Sequence, residues 1–152
     1  MSTREIDQRY NANLIASLAA SVGIIIGSIG PWASFMAFTK NGTEGDGIIT
    51  LILGVVAVIA LFVLFSRGSG GPSVLRWVGP VVSVVCLGIA IYDIMNVSSH
   101  TAKFFGETIG IQIGWGLWLV AISSVILFLT STTIAKKPRN RDDTPPVNEV
   151  RN

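Results

Sequence analysis

Four of the nine acidic residues lie within or beside long apolar segments, where carboxylates are the groups best placed to do chemistry. Asp93, in "AIYDIMN", is the one acid inside such a segment, close to its end. Glu44 and Asp46, in "TEGDG", stand directly before a second segment, and Glu107 lies in a polar connection before a third. Ionisable residues within a membrane are costly and mark candidate functional sites.

Several kinds of chemistry are open to these carboxylates. Asp46 and Asp93 are expected at similar depth on neighbouring helix ends, where they could bind a cation, share a proton or form a plain salt bridge. In the ordinary alternative, Asp46 caps the free N–H groups at the start of its helix. Asp93 is then hydrated or paired with Lys103. The candidate polar cluster consists of Glu44, Asp46, Asp93, Lys103 and Glu107.

Sequence motifs for catalysis and cofactor binding are missing. The chain has one histidine and one cysteine, Cys86, and it contains no Ser–His–Asp set, HExxH motif or glycine-rich phosphate loop. One cysteine can neither close an intramolecular disulfide nor supply the roughly four ligands of structural zinc. No apolar segment carries a histidine for haem. The sequence therefore predicts no enzyme, no cofactor and no metal site.

The elements that must position these residues are four apolar segments. Only 13% of the residues are charged, against about 25% in a typical soluble domain. A hydrocarbon core ~30 Å thick requires about 20 apolar residues in helical form, and four segments meet this length: 12–30, 47–65, 74–95 and 115–134. They predict an all-α membrane protein, a bundle of four transmembrane helices. An N-terminal segment 1–11 precedes the bundle, and a tail 135–152, predicted to be disordered, follows it.

The basic residues predict which way the helices face. Nine of the 11 lysines and arginines fall on the side of the termini, and only Lys40 and Lys103 fall on the other. The positive-inside rule therefore places both termini in the cytoplasm. Trp32, Tyr92 and Trp115 would then lie at the outer boundary of the membrane. A basic cluster after the last segment is expected to attract anionic lipid headgroups, and the acids that follow it argue against a nucleic-acid partner. This cluster comprises Lys136, Lys137, Arg139 and Arg141.

Small residues on the first segment predict close helix packing. Ala19, Gly23 and Gly27 recur every four residues and form a small-xxx-small surface. Such a surface lets backbones approach closely in lipid. We expect it to seat a neighbouring helix of the same bundle in preference to a second copy of the chain.

The two longer connections, both predicted on the outer side, have strand-like patterns. Ile109, Ile111 and Ile113 alternate with smaller or polar residues, which is the period of a strand. The first connection is similar over residues 34–39. We predict a short β pairing between the two outer loops, resting on the helix ends because a lone pair of strands is marginally stable.

Four stretches at the predicted outer helix ends carry a resemblance to a known family: "GSIGPW", "GTEGDGIITLILG", "IAIYDIMNV" and "GWGLWLV". Over residues 14–133 the chain resembles an uncharacterised family of small four-span membrane proteins of actinobacteria and their phages. The family usually carries a glycine-aspartate pair twice in the first loop, and Glu44 replaces the first aspartate here. The resemblance implies the bacterial inner (plasma) membrane, and similarity to phage and prophage proteins that act in defence or superinfection exclusion.

Two functions remain open. The first is a non-enzymatic membrane interaction protein, an accessory subunit or a phage-type exclusion factor that binds another membrane protein through its outer loops or packing surface. The second is a small ion- or proton-responsive membrane protein in which Asp46 and Asp93 bind the ion. The substitution Asp93→Asn separates them, because it should leave the first function intact and abolish the second.

Overall fold

The fold is dominated by four long helices, each containing a stretch long and apolar enough to cross a membrane. The computed structural model describes residues 3–35, 38–67, 72–99, 101–104, 107–110 and 112–136. The helices are α1 (Thr3–Ile29), α2 (Gly47–Arg67), α3 (Ser73–Ser99) and α4 (Trp115–Ala135). The predicted class, a helix bundle with four membrane-length helices, is confirmed, and the four helices are compatible with a multi-pass membrane protein.

Two of the helices, α1 and α3, extend by several residues beyond their apolar segments. α1 begins at Thr3, within the segment 1–11 that was predicted to precede the bundle. Residues 3–11 are mostly polar but contain neither glycine nor proline, so the helix can continue outside the hydrocarbon. α3 likewise continues to Ser99 and accommodates a proline, Pro80, in its interior. The tail beyond residue 136 lies outside the described residues, as does the prediction that it is disordered.

The helices form a ring in which each packs chiefly against two others. α1 and α3 each contact α2 and α4, and the contact between α1 and α4 is the most extensive. Buried apolar side chains from all four helices meet in the centre, among them Leu14, Ile24, Leu61, Leu64, Cys86, Leu117, Val120 and Leu127. Large apolar side chains also stand exposed around the outside of the ring, as expected where a bundle faces lipid rather than water.

The connections at one end of the bundle form two small sheets. The first has the order β2-β1-β5 and contains β1 (Pro31–Phe35), β2 (Phe38–Asn41) and β5 (Gln112–Ile113). The second pairs β3 (Thr101–Phe104) with β4 (Glu107–Gly110). The predicted pairing between the two loops is present, because β1 pairs with β5 at Ala33↔Ile113 and Ser34↔Gln112. Over residues 34–39, predicted to be strand-like, the described residues belong to two antiparallel strands, the end of β1 and the start of β2, and residues 36 and 37 lie outside the described part.

Candidate interaction surface at the sheet end of the bundle

The sheet end is the end at which α1 and α3 finish and α2 and α4 begin. The first loop lies directly against the end of α1 through Gly42, whose N–H donates to the Gly30 carbonyl at 3.0 Å. A Cβ at Gly42 would overlap the Ser28 carbonyl oxygen and the indole Nε1 of Trp32. A Cβ at Gly47 would come within 2.5 Å of the Gly42 carbonyl. Only glycines allow the loop, α1 and α2 to meet this closely.

Trp32 closes the end of α1. Its Nε1–H donates to the Gly27 carbonyl at 2.9 Å, and the side chain is only 6% exposed. The last carbonyls of a helix have no partner within the helix, so the indole satisfies one of them. The indole is therefore buried inside the protein and does not face lipid, while the depth of Trp32 at the membrane boundary stays a prediction. Tyr92 and Trp115 are exposed, 64% and 56% respectively.

The second loop is attached to the first by a backbone hydrogen bond and by glycines packed closely against the main chain. The Gly114 N–H donates to the Trp32 carbonyl at 2.8 Å, and a Cβ at Gly114 would overlap the Pro31 carbonyl oxygen. A Cβ at Gly116 would lie 2.7 Å from the Gly27 carbonyl oxygen. We call this set of closely packed glycines the glycine junction; it comprises Gly27, Gly30, Gly42, Gly47, Gly114 and Gly116. The glycine motifs at the helix ends therefore fix both loops on the bundle.

Asp46 stands at the start of α2, but its carboxylate does not cap the helix. The Asp46 carbonyl accepts bonds from the Ile49 and Thr50 N–H groups at 3.0 and 3.3 Å. The side chain is exposed, and within the described part of the chain it makes no hydrogen bond. The main chain of Asp46 therefore begins the helix, and its charge remains free at the surface.

Asp93 lies near Asp46, as expected from their positions on neighbouring helix ends. Its side chain is partly buried, and its Oδ2 atom is buried without a hydrogen-bond partner among the described residues. Besides its burial, the Asp93 carboxyl lies within electrostatic reach of the Asp46 carboxylate and the Lys40 ammonium. Lys40 Nζ lies 3.8 Å from the position of a Cβ on Gly45, so this side chain extends over the "TEGDG" turn. Asp46, Asp93 and Lys40 therefore lie at the same end of the bundle, and the predicted polar cluster stays a prediction.

The remaining members of the predicted polar cluster are placed less closely. Glu44 ends a short 3₁₀ turn, Gly42–Glu44, and its side chain is exposed. Lys103 and Glu107 pair along the β3–β4 ladder with Thr108 and Phe104 respectively; their side chains lie outside the described part of the structure. Among the described residues, no group of three or more His, Cys, Asp or Glu side chains is arranged to hold a metal ion.

The predicted packing surface of α1 faces α4 over part of its length. Gly23 lies against Ser123, whose Oγ a Cβ would overlap, and a Cβ at Gly27 would lie 2.8 Å from the Gly116 carbonyl oxygen. Ala19 is exposed. A residue every four positions advances about 40° around a helix of 3.6 residues per turn. The row of small residues therefore leaves the interface by Ala19, and Ala20 is buried in its place.

Hydroxyl groups continue the contact between α1 and α4 toward the other end. Ser17 Oγ donates to Thr130 Oγ1 at 2.7 Å, and Asn13 Nδ2 donates to Thr133 Oγ1 at 2.9 Å. These residues were not singled out in the sequence, because serine and threonine also satisfy themselves on their own helix carbonyls. Their positions opposite one another appear only when the two helices are paired.

The basic cluster after α4 is described only at its first residue. Lys136 follows the helix and is exposed. Lys137, Arg139 and Arg141 lie outside the described residues, so the predicted contact of this cluster with lipid headgroups stays a prediction.

Comparison with known proteins identifies no relative. No protein-family model, curated protein or solved structure matches the chain. Its function is therefore inferred from its own residues and geometry.

Proposed function

We propose that this chain is a non-enzymatic integral membrane protein that works by binding another membrane protein through its sheet end, as an accessory subunit or an exclusion factor. The observation that carries the proposal is the glycine junction. It attaches both loops to the helix ends through contacts that leave no space for a side chain, as at Gly42 and Gly114. A surface held in one conformation loses little conformational freedom on binding, which favours recognition.

The sheet end also offers the polar groups that the sides of the bundle lack. Thr39, Lys40 and Asn41 are exposed along β2 and its end, and Glu44 and Asp46 are exposed beside them. The outside of the four helices is rich in exposed apolar side chains that lipid can cover. Compared with the sides of the bundle, the sheet end therefore offers hydrogen bonds and charges that can distinguish one partner from another.

The orientation that belongs to this proposal places the sheet end outside a bacterial inner membrane and both termini in the cytoplasm. The distribution of lysine and arginine supports it. In a chain whose buried cysteine is removed by Cys86→Ser, an impermeant maleimide should label Lys40→Cys in intact cells. It should label Lys136→Cys only after permeabilisation, and the reverse pattern would overturn the orientation.

Site-specific crosslinking in the native membrane tests the interaction. A photoreactive amino acid replaces either Lys40 at the sheet end or Arg67 at the opposite end; both positions are exposed. We expect one membrane protein to be captured from position 40 and not from position 67, identified by mass spectrometry of the adduct. Equal capture from both positions, or none from position 40, would contradict the proposal.

Superinfection exclusion is the form of this function that only the resemblance of the helix-end motifs implies, and it can be tested directly. Cells that express the chain should support fewer plaques of a superinfecting phage than cells without it. Lys40→Glu, which reverses a charge on the exposed surface, should restore plaque formation while leaving the amount of protein in the membrane unchanged. Arg67→Gln is the control at the other end and should keep exclusion intact.

A second candidate function, an ion- or proton-responsive membrane protein, is favoured by one observation. Asp93 Oδ2 is buried without a hydrogen-bond partner among the described residues, and the Asp46 charge acts on the same carboxylate. A proton or a cation bound there would relieve that repulsion and supply the missing partner.

Asp93→Asn decides between the two candidates. It keeps the shape of the side chain and removes its charge, so capture of a partner from position 40 should persist if the protein works by recognition. Loss of function in an Asp93→Asn variant that still inserts and captures its partner would favour the ion-responsive candidate. Asp46→Asn, at the exposed carboxylate, is the matched control.

A further inference from the structure

The hydrogen bonds between α1 and α4 fix which residues of the two helices meet at the end of the bundle opposite the sheets. Asn13 Nδ2 donates to Thr133 Oγ1 at 2.9 Å, and one turn deeper Ser17 Oγ donates to Thr130 Oγ1 at 2.7 Å. The two helices are therefore antiparallel, and a step of four residues along α1 corresponds to a step of three residues along α4.

The same step taken outward brings two basic residues to one level. Arg9 lies four residues before Asn13 in α1, and Lys136 lies three residues after Thr133, directly beyond the end of α4. Residues three or four apart share a face of a helix, so both lie where α1 and α4 are joined. Both side chains are exposed, and within the described part of the chain neither makes a hydrogen bond or an ion pair.

These two residues also mark the ends of apolar stretches. The membrane-length stretch of α1 begins at Gln8, and that of α4 ends at Ala135. In a bilayer, Arg9 and Lys136 would therefore stand where the hydrocarbon gives way to the headgroups, which is the depth of the lipid phosphates. This holds whichever way the protein faces.

We infer that Arg9 and Lys136 together bind the phosphate of one anionic phospholipid. Two cations held at one level repel each other, and an anion shared between them replaces that repulsion with attraction. The guanidinium of arginine presents paired N–H donors that match two phosphate oxygens, and the lysine ammonium adds a compact charge. Basic groups between membrane helices bind lipid headgroups in this way.

The surroundings favour a lipid over a free phosphate ion as the source of this anion. Ala12 and Ala19 of α1 and Leu129 of α4 are exposed on the membrane-length helices that lead away from the pair. Acyl chains can cover these side chains while the phosphate stays between the cations. Half of the site belongs to α1, so it is distinct from the general attraction expected of the basic cluster after α4.

Native mass spectrometry of the full chain in detergent, with phosphatidylglycerol as the probe, tests the site. We expect one phosphatidylglycerol to be retained per chain. A basic residue near anionic lipid contributes about fivefold in affinity, so Arg9→Gln and Lys136→Gln should each weaken retention about fivefold, and the double variant about 25-fold. Phosphatidylcholine, whose headgroup carries no net charge, should be retained far less.

Arg67→Gln is the matched control, because Arg67 is an exposed arginine at the same end of the bundle, on α2. It should leave retention unchanged, and Arg9→Lys, which keeps the charge, should keep most of it. In a Cys86→Ser chain, a crosslink between Ser17→Cys and Thr130→Cys, which are hydrogen-bonded neighbours in the unsubstituted chain, shows that each variant keeps the α1–α4 contact.

An excess of inorganic phosphate separates the two sources of the anion. A lipid site should keep its phosphatidylglycerol, whereas displacement would show that the pair binds a free anion and would overturn the inference. Three other results would also overturn it: equal retention of phosphatidylcholine, equal weakening by Arg67→Gln and Arg9→Gln, and full retention in the double variant. The site lies at the end opposite the sheets and does not depend on the function proposed there.

Discussion

The contact between α1 and α4 and the contact between α2 and α3 show two ways of pairing helices in a membrane. Between α1 and α4, Gly27 and Gly116 let the backbones meet, and Ser17 bonds Thr130 across the interface. The glycines of α2 and α3 do not serve their mutual contact: Gly54 faces Ile24 and Ile25 of α1, and Gly79 faces Ser131 of α4. The α2–α3 contact is also the less extensive of the two.

The difference between these two contacts indicates which helix pair contributes most to the stability of the bundle. Lipid gives apolar side chains nearly the environment that another helix would give, so apolar surface alone contributes little to helix association. Close backbone approach and interhelical hydrogen bonds contribute more. The α1–α4 pair should therefore be the stable unit of the fold, and α2 and α3 should be held mainly through their contacts with it.

The largest expected effect is that of a bulky residue at the centre of the α1–α4 contact. A Cβ at Gly27 already lies 2.8 Å from the Gly116 carbonyl oxygen, so Gly27→Leu should force the helices apart and lower the free energy of unfolding by about 3 kcal/mol or more. The measurement is unfolding in detergent micelles by denaturant titration. Gly88→Ala, in α3, is the control, since a Cβ there would meet no other helix or loop within 4 Å. An equal loss in both variants would show that the close contact between α1 and α4 is not what makes Gly27 important.

A smaller effect is expected at the glycine junction. Gly42→Ala places a methyl group against the Ser28 carbonyl and the Trp32 indole, and overpacking of this kind costs typically about 1–3 kcal/mol. Amide hydrogen exchange should accelerate over residues 38–47 while α4 stays protected. Gly45→Ala, whose Cβ would have Lys40 Nζ as its nearest neighbour at 3.8 Å, should leave the exchange unchanged; acceleration in both would indicate that any side chain in this loop disturbs it.

The smallest effect is expected for one interhelical hydroxyl bond. Ser17→Ala removes the 2.7 Å bond to Thr130, and such bonds contribute about 0.6 kcal/mol on average in membrane bundles. A double-mutant cycle with Thr130→Val isolates the pairwise contribution. Thr132→Val is the control, because the Thr132 hydroxyl bonds only carbonyls of its own helix. The coupling energy between Ser17 and Thr130 should exceed the coupling energy between Ser17 and Thr132. Equal values would show that hydroxyl bonds do not strengthen the α1–α4 contact.

The four helices and the pairing of the loops followed from the sequence because each depends on a local pattern. Bilayer thickness fixes the length of an apolar helix, and alternation around Ile113 indicates a strand. Ala19 shows the limit of this reasoning. Its spacing from Gly23 indicates a shared face, but the place where the helix turns away from α4 depends on how the two axes meet.

The candidate site was less predictable, because its contacts also depend on how distant parts of the chain meet. Asp46 and Asp93 could be placed at similar depth from their distances to the helix ends. The role of Trp32 could not be predicted. A tryptophan at a helix end has the same sequence context whether its ring faces lipid or bonds to its own helix. The sequence shows the members of the glycine junction only as repeated glycines. It does not show which residues they contact, because contacting pairs such as Pro31 and Gly114 are far apart in the chain.

The position of the tightest contact has a consequence for how the protein is made. Ser17 and Thr130 are separated by 113 residues, and α1 and α4 are the first and the last of the four helices to be synthesised. In a membrane, the glycine face of α1 must therefore wait without its partner while two more helices, α2 and α3, are made before α4. The ring can close only after α4 has been made, so synthesis that stops before α4 leaves three helices without the most extensive helix contact of the fold.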